Sequence, residues 1–172
     1  MLAEGEELLA AGDYAGAQRA FERAVEAAPS LALAYSKLGV ALAHQEQHDA
    51  AISQFSKALQ LHPGYAPAYS NLGNAYKAKG MLPEAIAAYQ RALAIDPDYW
   101  VAHQNLGVLY KEMGRIAESV DELKKAARLS IRQRGKTEPD RSPRSGCLGP
   151  ATILTMSLLG GALIVLAAAG LF

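Results

Sequence analysis

Apolar and polar residues alternate along most of this chain with the spacing of amphipathic helices. In the stretch 66–99, Tyr69, Leu72, Gly73 and Tyr76 lie at positions i, i+3, i+4 and i+7, so they share one helical face. A second apolar face follows a few residues later, formed by Ala85, Tyr89 and Ala92. The pattern predicts two helices joined by a short turn and packed against each other.

The same pattern recurs before and after this stretch at a step of 34 residues. The glycines, leucines and prolines that keep the step are Gly39, Gly73, Gly107, Leu38, Leu72, Leu106, Pro29, Pro63 and Pro97. One helix pair cannot bury its apolar face alone, so we expect neighbouring copies to stack into a superhelix. Small residues such as Gly73 and Ala85 should let two backbones approach, and the rings of Tyr76 and Tyr89 should fill the space beside these small residues.

This length, with this spacing of large and small residues, resembles the tetratricopeptide repeat (TPR) family. The resemblance implies an all-α, right-handed helix-turn-helix solenoid of about four repeats, at residues 1–31, 32–65, 66–99 and 100–131. Because the family serves mainly as a peptide-binding scaffold, the resemblance implies a protein-protein interaction adaptor rather than an enzyme, with no catalytic residue.

Local signals place the helices within these units. We expect the second unit to form helices at residues 33–43 and 50–61, with Asp49 accepting hydrogen bonds from the free amides of the second helix. Pro83 suits the start of the next such helix, since its missing amide would lack a partner there. The fourth unit drifts, with Ser119, Leu123 and Ile131 in place of alanine, an aromatic residue and proline. No further amphipathic helix follows to cover its outer face.

In the resembling family, the first helix of each unit lines a concave groove that holds the peptide. The peptide-contacting positions here include His44 and Glu112, and the residues expected to bind are Lys37, Ser70, Asn71, Asn74, Lys77, Gln104, Asn105 and Lys111. Asn71 and Asn105 occupy the same column, and their amides can donate to and accept from an extended peptide backbone. Asparagine ladders of this kind occur in sugar-transferase members, although asparagine is also simply frequent at this column.

Chaperone-binding members of the family hold a C-terminal carboxylate with a clamp of lysine, asparagine and arginine side chains. The matching positions in this chain carry Ser36, Val40, Asn71, Val101 and Asn105. Only the middle asparagine agrees, so we do not expect this clamp to operate. Lys37, Lys77 and Lys111 either favour an acidic ligand or are simply solvated.

A formal net charge of zero hides a segregation along the chain. Residues 1–123 contain 9 basic and 15 acidic residues, whereas residues 124–144 contain 8 basic and 2 acidic residues. From residue 132 to 150 the composition turns to proline, glycine, serine and basic residues, which predicts a flexible linker. Residues 151–172 contain no charge, and a helix of that length spans roughly 33 Å against roughly 30 Å of bilayer hydrocarbon.

The sequence therefore predicts a single C-terminal transmembrane helix, in a layout that resembles tail-anchored TPR proteins. The basic residues expected to face lipid headgroups before the span are Arg132, Arg134, Lys136, Arg141 and Arg144. Basic flanks favour the cytosolic side, so we expect a cytosolic repeat domain, at the endoplasmic reticulum in a eukaryote or the inner membrane in a bacterium. Cys147, four residues before the span, is a candidate acylation site or an unmodified thiol.

Other chemistry finds little support in the sequence. His44, Glu46 and His48 do not match the spacing of a zinc motif, and no phosphate-binding loop or nucleophilic triad is present, so we expect no metal and no cofactor. The basic run lacks the aromatic residues typical of nucleic-acid contacts. Two alternatives stay open: an oligomerising membrane assembly factor built on the uncapped fourth unit, with homo-oligomers, and a truncated relative of a TPR-containing sugar transferase without its catalytic domain.

Overall fold

The computed structural model describes residues 1–137, which form eight α-helices joined by short turns. The helices are α1 (Leu2–Ala10), α2 (Tyr14–Ala27), α3 (Ala32–His44), α4 (His48–Leu61), α5 (Ala66–Ala78), α6 (Leu82–Ile95), α7 (Trp100–Glu112) and α8 (Ile116–Thr137). No strand occurs in this range. The predicted all-α solenoid of repeated helix pairs is confirmed.

The helices pack in pairs, and each pair packs on the next. The first and second helices of each pair are in contact, and α2, α4 and α6 each contact the helix that follows. Contacts also join α3 to α5 and α5 to α7. The first helices of neighbouring pairs therefore lie side by side and form a continuous face, which we call the inner face.

A glycine in each first helix lies against a large side chain of the second. A Cβ atom built on Gly73 would stand 2.6 Å from a ring carbon of Tyr89, which is closer than real Cβ atoms approach. Tyr89 is fully buried there, as the spacing of the repeat predicts. The same contact joins Gly39 to Phe55, whereas Gly107 in the fourth pair meets Leu123. The absence of a side chain at these glycines thus sets how closely the two helices pack.

The turn inside each pair has a left-handed residue at the same repeat position. Gly12, Gly80 and Gly114 have φ angles of 81°, 75° and 76°. In the second pair Glu46 takes this conformation with φ 60°, which costs more for a residue with a Cβ atom than for glycine. This turn allows α4 to begin at His48.

The prediction that Asp49 caps α4 is wrong. The cap position is Gln47, which makes no side-chain capping bond, and Asp49 lies inside the first turn of the helix. Its carboxylate instead accepts a hydrogen bond from Lys79 of the following repeat. A carboxylate in a first turn still interacts favourably with the positive end of the helix dipole.

A buried polar pair joins α7 to α8. His103 Nδ1 lies 2.5 Å from Glu122 Oε2, and its Nε2 lies 3.0 Å from the carbonyl oxygen of Pro97. Burial by itself would raise the pKa of Glu122, but hydrogen bonds from Lys125 and His103 bring that pKa below its ordinary value. The pair links α7 and α8 to the turn that precedes α7. His103 stands at the repeat position that Tyr35 and Tyr69 occupy in earlier units.

The last helix continues to Thr137, so residues 132–137 of the predicted linker are helical. No proline occurs within α8 to stop the helix, and the next one is Pro139. Arg132 donates a 3.2 Å hydrogen bond to Asp98 in the turn before α7. The predicted linker residues 138–150 and the predicted transmembrane helix 151–172 lie outside the described residues. Within residues 1–137, no helix is both long and apolar enough to cross a membrane.

We expect Gly73→Ala to destabilise the repeat domain by about 1–3 kcal/mol, because the added methyl group would collide with the buried ring of Tyr89. The matched control is Gly135→Ala in α8, where a Cβ atom would meet nothing within 4 Å. That change should be neutral or stabilise by up to about 1 kcal/mol, because alanine favours the helix. Urea unfolding followed by circular dichroism measures both, and equal midpoints for the two variants would contradict the packing constraint.

Candidate functional site

The eight residues predicted to bind a peptide all lie on first helices. Lys37 belongs to α3 and Lys111 to α7, and the remaining six lie on α5 and α7 between them. Their side chains differ in exposure and in the contacts that they make. Three groups can be distinguished: amides held in one orientation, lysines of which two pair with carboxylates, and Gln104 in the last helix pair.

The amide of Asn105 is held by a serine of the preceding repeat. Asn105 Nδ2 donates a 3.2 Å hydrogen bond to Ser70 Oγ. Ser70 is only 1% exposed, and Ser36 is buried at the same repeat position, so both serines lie beneath the next repeat. Ser70 therefore orients Asn105 from below, and Oδ1 of Asn105 keeps its capacity to accept a hydrogen bond.

The amide of Asn74 is held by a tyrosine of its own repeat. The hydroxyl of Tyr89 donates a 2.6 Å hydrogen bond to Asn74 Oδ1. Burial, reinforced by the charge of Glu112, raises the pKa of Tyr89, so the phenol remains a donor throughout the physiological pH range. With Oδ1 engaged, the Nδ2 group of Asn74 is left to donate to another partner.

Two of the three predicted groove lysines form ion pairs across repeats. Lys37 Nζ lies 2.8 Å from Glu6 Oε1, and Lys77 Nζ lies 2.7 Å from Glu112 Oε1. Lys111 is exposed and has no ion pair among residues 1–137. Glu112 occupies a groove position in the sequence pattern, whereas Glu6 was not selected from the sequence. Both carboxylates neutralise much of the positive charge that could attract an acidic ligand.

Gln104 belongs to the last described helix pair, where it borders α8. It lines a cavity of about 230 Å³ together with Trp100, Val108 and residues of α8 that include Leu123. Gln104 has the same repeat position as Ser36 and Ser70, which the next repeat covers. No repeat follows α8 within the described residues, so this side chain is exposed.

Between α3, α4 and α5, the inner face contains a cleft of about 270 Å³, which we call the central cleft. Its lining residues are Val40, Ala43, His44, His48, Phe55, Asn71, Asn74, Ala75 and Ala78. Sequence reasoning selected the two asparagines but missed the apolar floor. No sequence motif marks this floor, because the space is left by the short side chains of Ala43, Ala75 and Ala78 on two different helices.

The two histidines of the central cleft differ in their contacts. The ring of His44 stacks on Tyr14, with centroids 4.5 Å apart and planes 5° from parallel. The Nδ1 atom of His48 is buried and has no hydrogen-bond partner within the described part of the chain. No group of three metal-ligating side chains occurs in residues 1–137.

Only part of the predicted lipid-facing linker falls within the described residues. Arg132 and Arg134 are exposed on α8, and Lys136 belongs to the same helix. Arg141, Arg144 and the candidate acylation site Cys147 lie outside the described residues.

The fold is shared with several solved structures. A MamA fragment, 41-end from Desulfovibrio magneticus RS-1, has 27% identity and a TM-score of 0.66, covering 75% of this chain and 73% of its own. The thermophilic TPR protein TTC0263 of Thermus thermophilus has 26% identity and a TM-score of 0.71, covering 76% and 73%. The first TPR of Spaghetti (RPAP3), bound to the HSP90 peptide SRMEEVD, has 24% identity, a TM-score of 0.62 and coverage of 66% and 90%, a likeness of fold alone.

No curated protein matches the sequence. Family models match it in four overlapping segments. Models described as tetratricopeptide repeat match residues 2–66, 55–87 and 101–130, and a model described as TPR repeat matches residues 73–114. Together they run without a gap from residue 2 to residue 130, and the chain belongs to the tetratricopeptide repeat family.

Proposed function

We propose that this protein is a membrane-tethered adaptor whose inner face binds a peptide segment of a partner protein. In this proposal the protein acts by binding, without a reaction of its own. The observation on which it rests is the pair of pre-oriented amides on α5 and α7. The family and its scaffold fold support the coarser statement, that the chain is a protein-protein interaction scaffold.

The two amides match the two groups of a peptide backbone. The Nδ2 group of Asn74 is left to donate and Oδ1 of Asn105 is left to accept, because the other end of each amide is engaged by Tyr89 or Ser70. An extended peptide offers a carbonyl oxygen and an N–H group in alternation. Asn71, on the same face of α5, makes no hydrogen bond of its side chain among residues 1–137 and adds an amide of either polarity.

The amides are held before the ligand arrives, which lowers the entropic cost of binding. Each fixed side chain spares the ordering of a rotamer on association, at about 0.5–1.5 kcal/mol per side chain. The ion pairs Lys37–Glu6 and Lys77–Glu112 likewise fix the lysines beside them. The ligand that best fits this surface is an extended segment recognised mainly through its backbone.

The second part of the proposal is the membrane tether, residues 151–172. These 22 residues have no charge and follow a segment rich in arginine and lysine. In the proposed arrangement the repeat domain faces the cytosol, at the endoplasmic reticulum in a eukaryotic cell or the inner membrane in a bacterium. Tethering would raise the local concentration of a bound partner near the bilayer, so modest affinity at the inner face would be sufficient.

The groove is tested with peptides selected by the full chain from a phage-displayed random library. Changing Asn71→Ala together with Asn105→Ala should weaken their binding about thirtyfold, because two hydrogen bonds worth about 1 kcal/mol each are lost. The control pair Gln60→Ala with Gln90→Ala removes two exposed amides from second helices and should leave binding unchanged. Fluorescence anisotropy measures affinity, with circular dichroism as the folding check. Undiminished binding in the asparagine variant would place the partner site elsewhere.

The tether is tested by alkaline carbonate extraction of membranes from cells that produce the full chain. We expect the protein to remain in the membrane pellet, and a variant that ends at residue 150 to appear in the supernatant. Release of the full chain together with the shortened variant would refute the transmembrane assignment while leaving the groove proposal intact.

A further inference from the structure

We infer that the central cleft is an anchor pocket for one aromatic side chain of an uncharged peptide segment. The inference rests on the proposed peptide-binding function and narrows it to a class of ligand. It differs from the acidic ligand that was one of two alternatives for Lys37, Lys77 and Lys111 in the sequence.

The size of the central cleft suits a single ring. Its volume is about 270 Å³. An apolar cavity of about 150 Å³ accommodates a benzene molecule, whereas pockets for whole small molecules begin at about 300 Å³. The cleft therefore has room for a large side chain with part of its backbone, but not for a bulky independent ligand.

The walls of the cleft favour an aromatic ring over a polar group. Val40 supplies accessible apolar surface, Phe55 and Ala75 form an almost fully buried floor, and the short side chains of Ala43 and Ala78 leave the space open. One face of the His44 ring stacks on Tyr14, so a ligand ring placed against His44 would extend an existing stack. Stacked rings gain about 0.5–1.5 kcal/mol beyond the burial of their surface.

The charges around the cleft disfavour a charged side chain of the ligand as the anchor. None of the nine lining residues is an aspartate, glutamate, lysine or arginine. The nearby lysines are paired with carboxylates of neighbouring helices, in Lys37–Glu6, Lys77–Glu112 and Lys79–Asp49. A carboxylate buried in the cleft would lose its hydration without gaining an unpaired cation, which is costly.

The rim of the cleft can hold the backbone on either side of the anchor. Asn71 and Asn74 both line the cleft, and Tyr89 already fixes the orientation of the Asn74 amide. A ring inserted between α3 and α5 would place its own backbone close to these two amides. The anchor and the backbone contacts therefore belong to one binding mode.

The test uses heptapeptides selected by the full chain, in detergent micelles, from a phage-displayed random library. We expect phenylalanine, tyrosine or tryptophan to recur at one position, with aspartate and glutamate depleted there. Replacing that aromatic residue by alanine in a synthetic fluorescent peptide should weaken binding about tenfold or more. Replacing it by glutamate should weaken binding at least as much.

A variant of the protein identifies the cleft as the place where the ring binds. Ala78→Leu places a larger side chain in the cleft from an exposed position at the end of α5. It should weaken the binding of the aromatic peptide about tenfold. In that variant the aromatic and alanine peptides should bind almost equally, since the pocket is already occupied. The matched control is Ala94→Leu, an exposed position near the end of α6 outside the cleft, which should bind like the unchanged protein.

The outcomes separate the anchor pocket from the proposed function. In one outcome, Asn71→Ala with Asn105→Ala weakens the binding of the selected peptides, yet these peptides share no aromatic residue or bind Ala78→Leu with unchanged affinity. That outcome refutes the anchor pocket and leaves the proposed peptide binding intact. If the chain selects no peptide, or only peptides indifferent to both variants, the proposed function and the anchor pocket are both refuted.

Discussion

The contact between a glycine of a first helix and a ring of the second helix determines how this solenoid is assembled. Gly39 lies on Phe55 and Gly73 lies on Tyr89, each too close for a Cβ atom. The rings are fully buried, so each contributes a large apolar surface to the packing of its helix pair. Because each pair is fixed in this way, the first helices come to lie side by side, and the inner face exists as a consequence.

The inner face connects this packing to function through one residue in particular. The ring of Tyr89 lies against Gly73, and its hydroxyl holds the amide of Asn74. The same side chain therefore closes the helix pair and orients a group on the surface. Between repeats, Ser70 and the carboxylates of Glu6 and Glu112 act in the same manner on Asn105, Lys37 and Lys77. The polar groups of the inner face are thus held by neighbouring repeats, and little of its charge is left unpaired.

Much of the fold could be predicted from the sequence, because the packing positions repeat every 34 residues. The helix pairs, the buried ring of Tyr89 and its contact with Gly73 all follow from that period. The end of α8 could not be predicted, since no proline occurs between Pro97 and Pro139 to mark it. A contact of Arg132 with Asp98 supports the helical turn beyond residue 131. Asp49 was misassigned as a cap because the repeat places the cap two residues earlier, at Gln47, whose side chain makes no capping bond.

The candidate site was less predictable, for physical reasons that individual residues illustrate. Ser70 and Gln104 have the same repeat position, yet one is buried and the other exposed, because only Ser70 has a repeat stacked on it. The partners of Lys37 and Lys77 lie about one repeat away in sequence, so only the stacked structure brings them together. The central cleft is a space left by alanines, and no motif marks such a space.

The central claim is that a peptide binds in extended form along α3, α5 and α7. A crystal structure of the chain with a selected peptide tests it most directly. The account predicts a backbone hydrogen-bonded to Asn74 and Asn105, with a side-chain ring in the central cleft beside His44. A peptide seated on the second helices α2, α4 and α6, with the inner face empty, would contradict it.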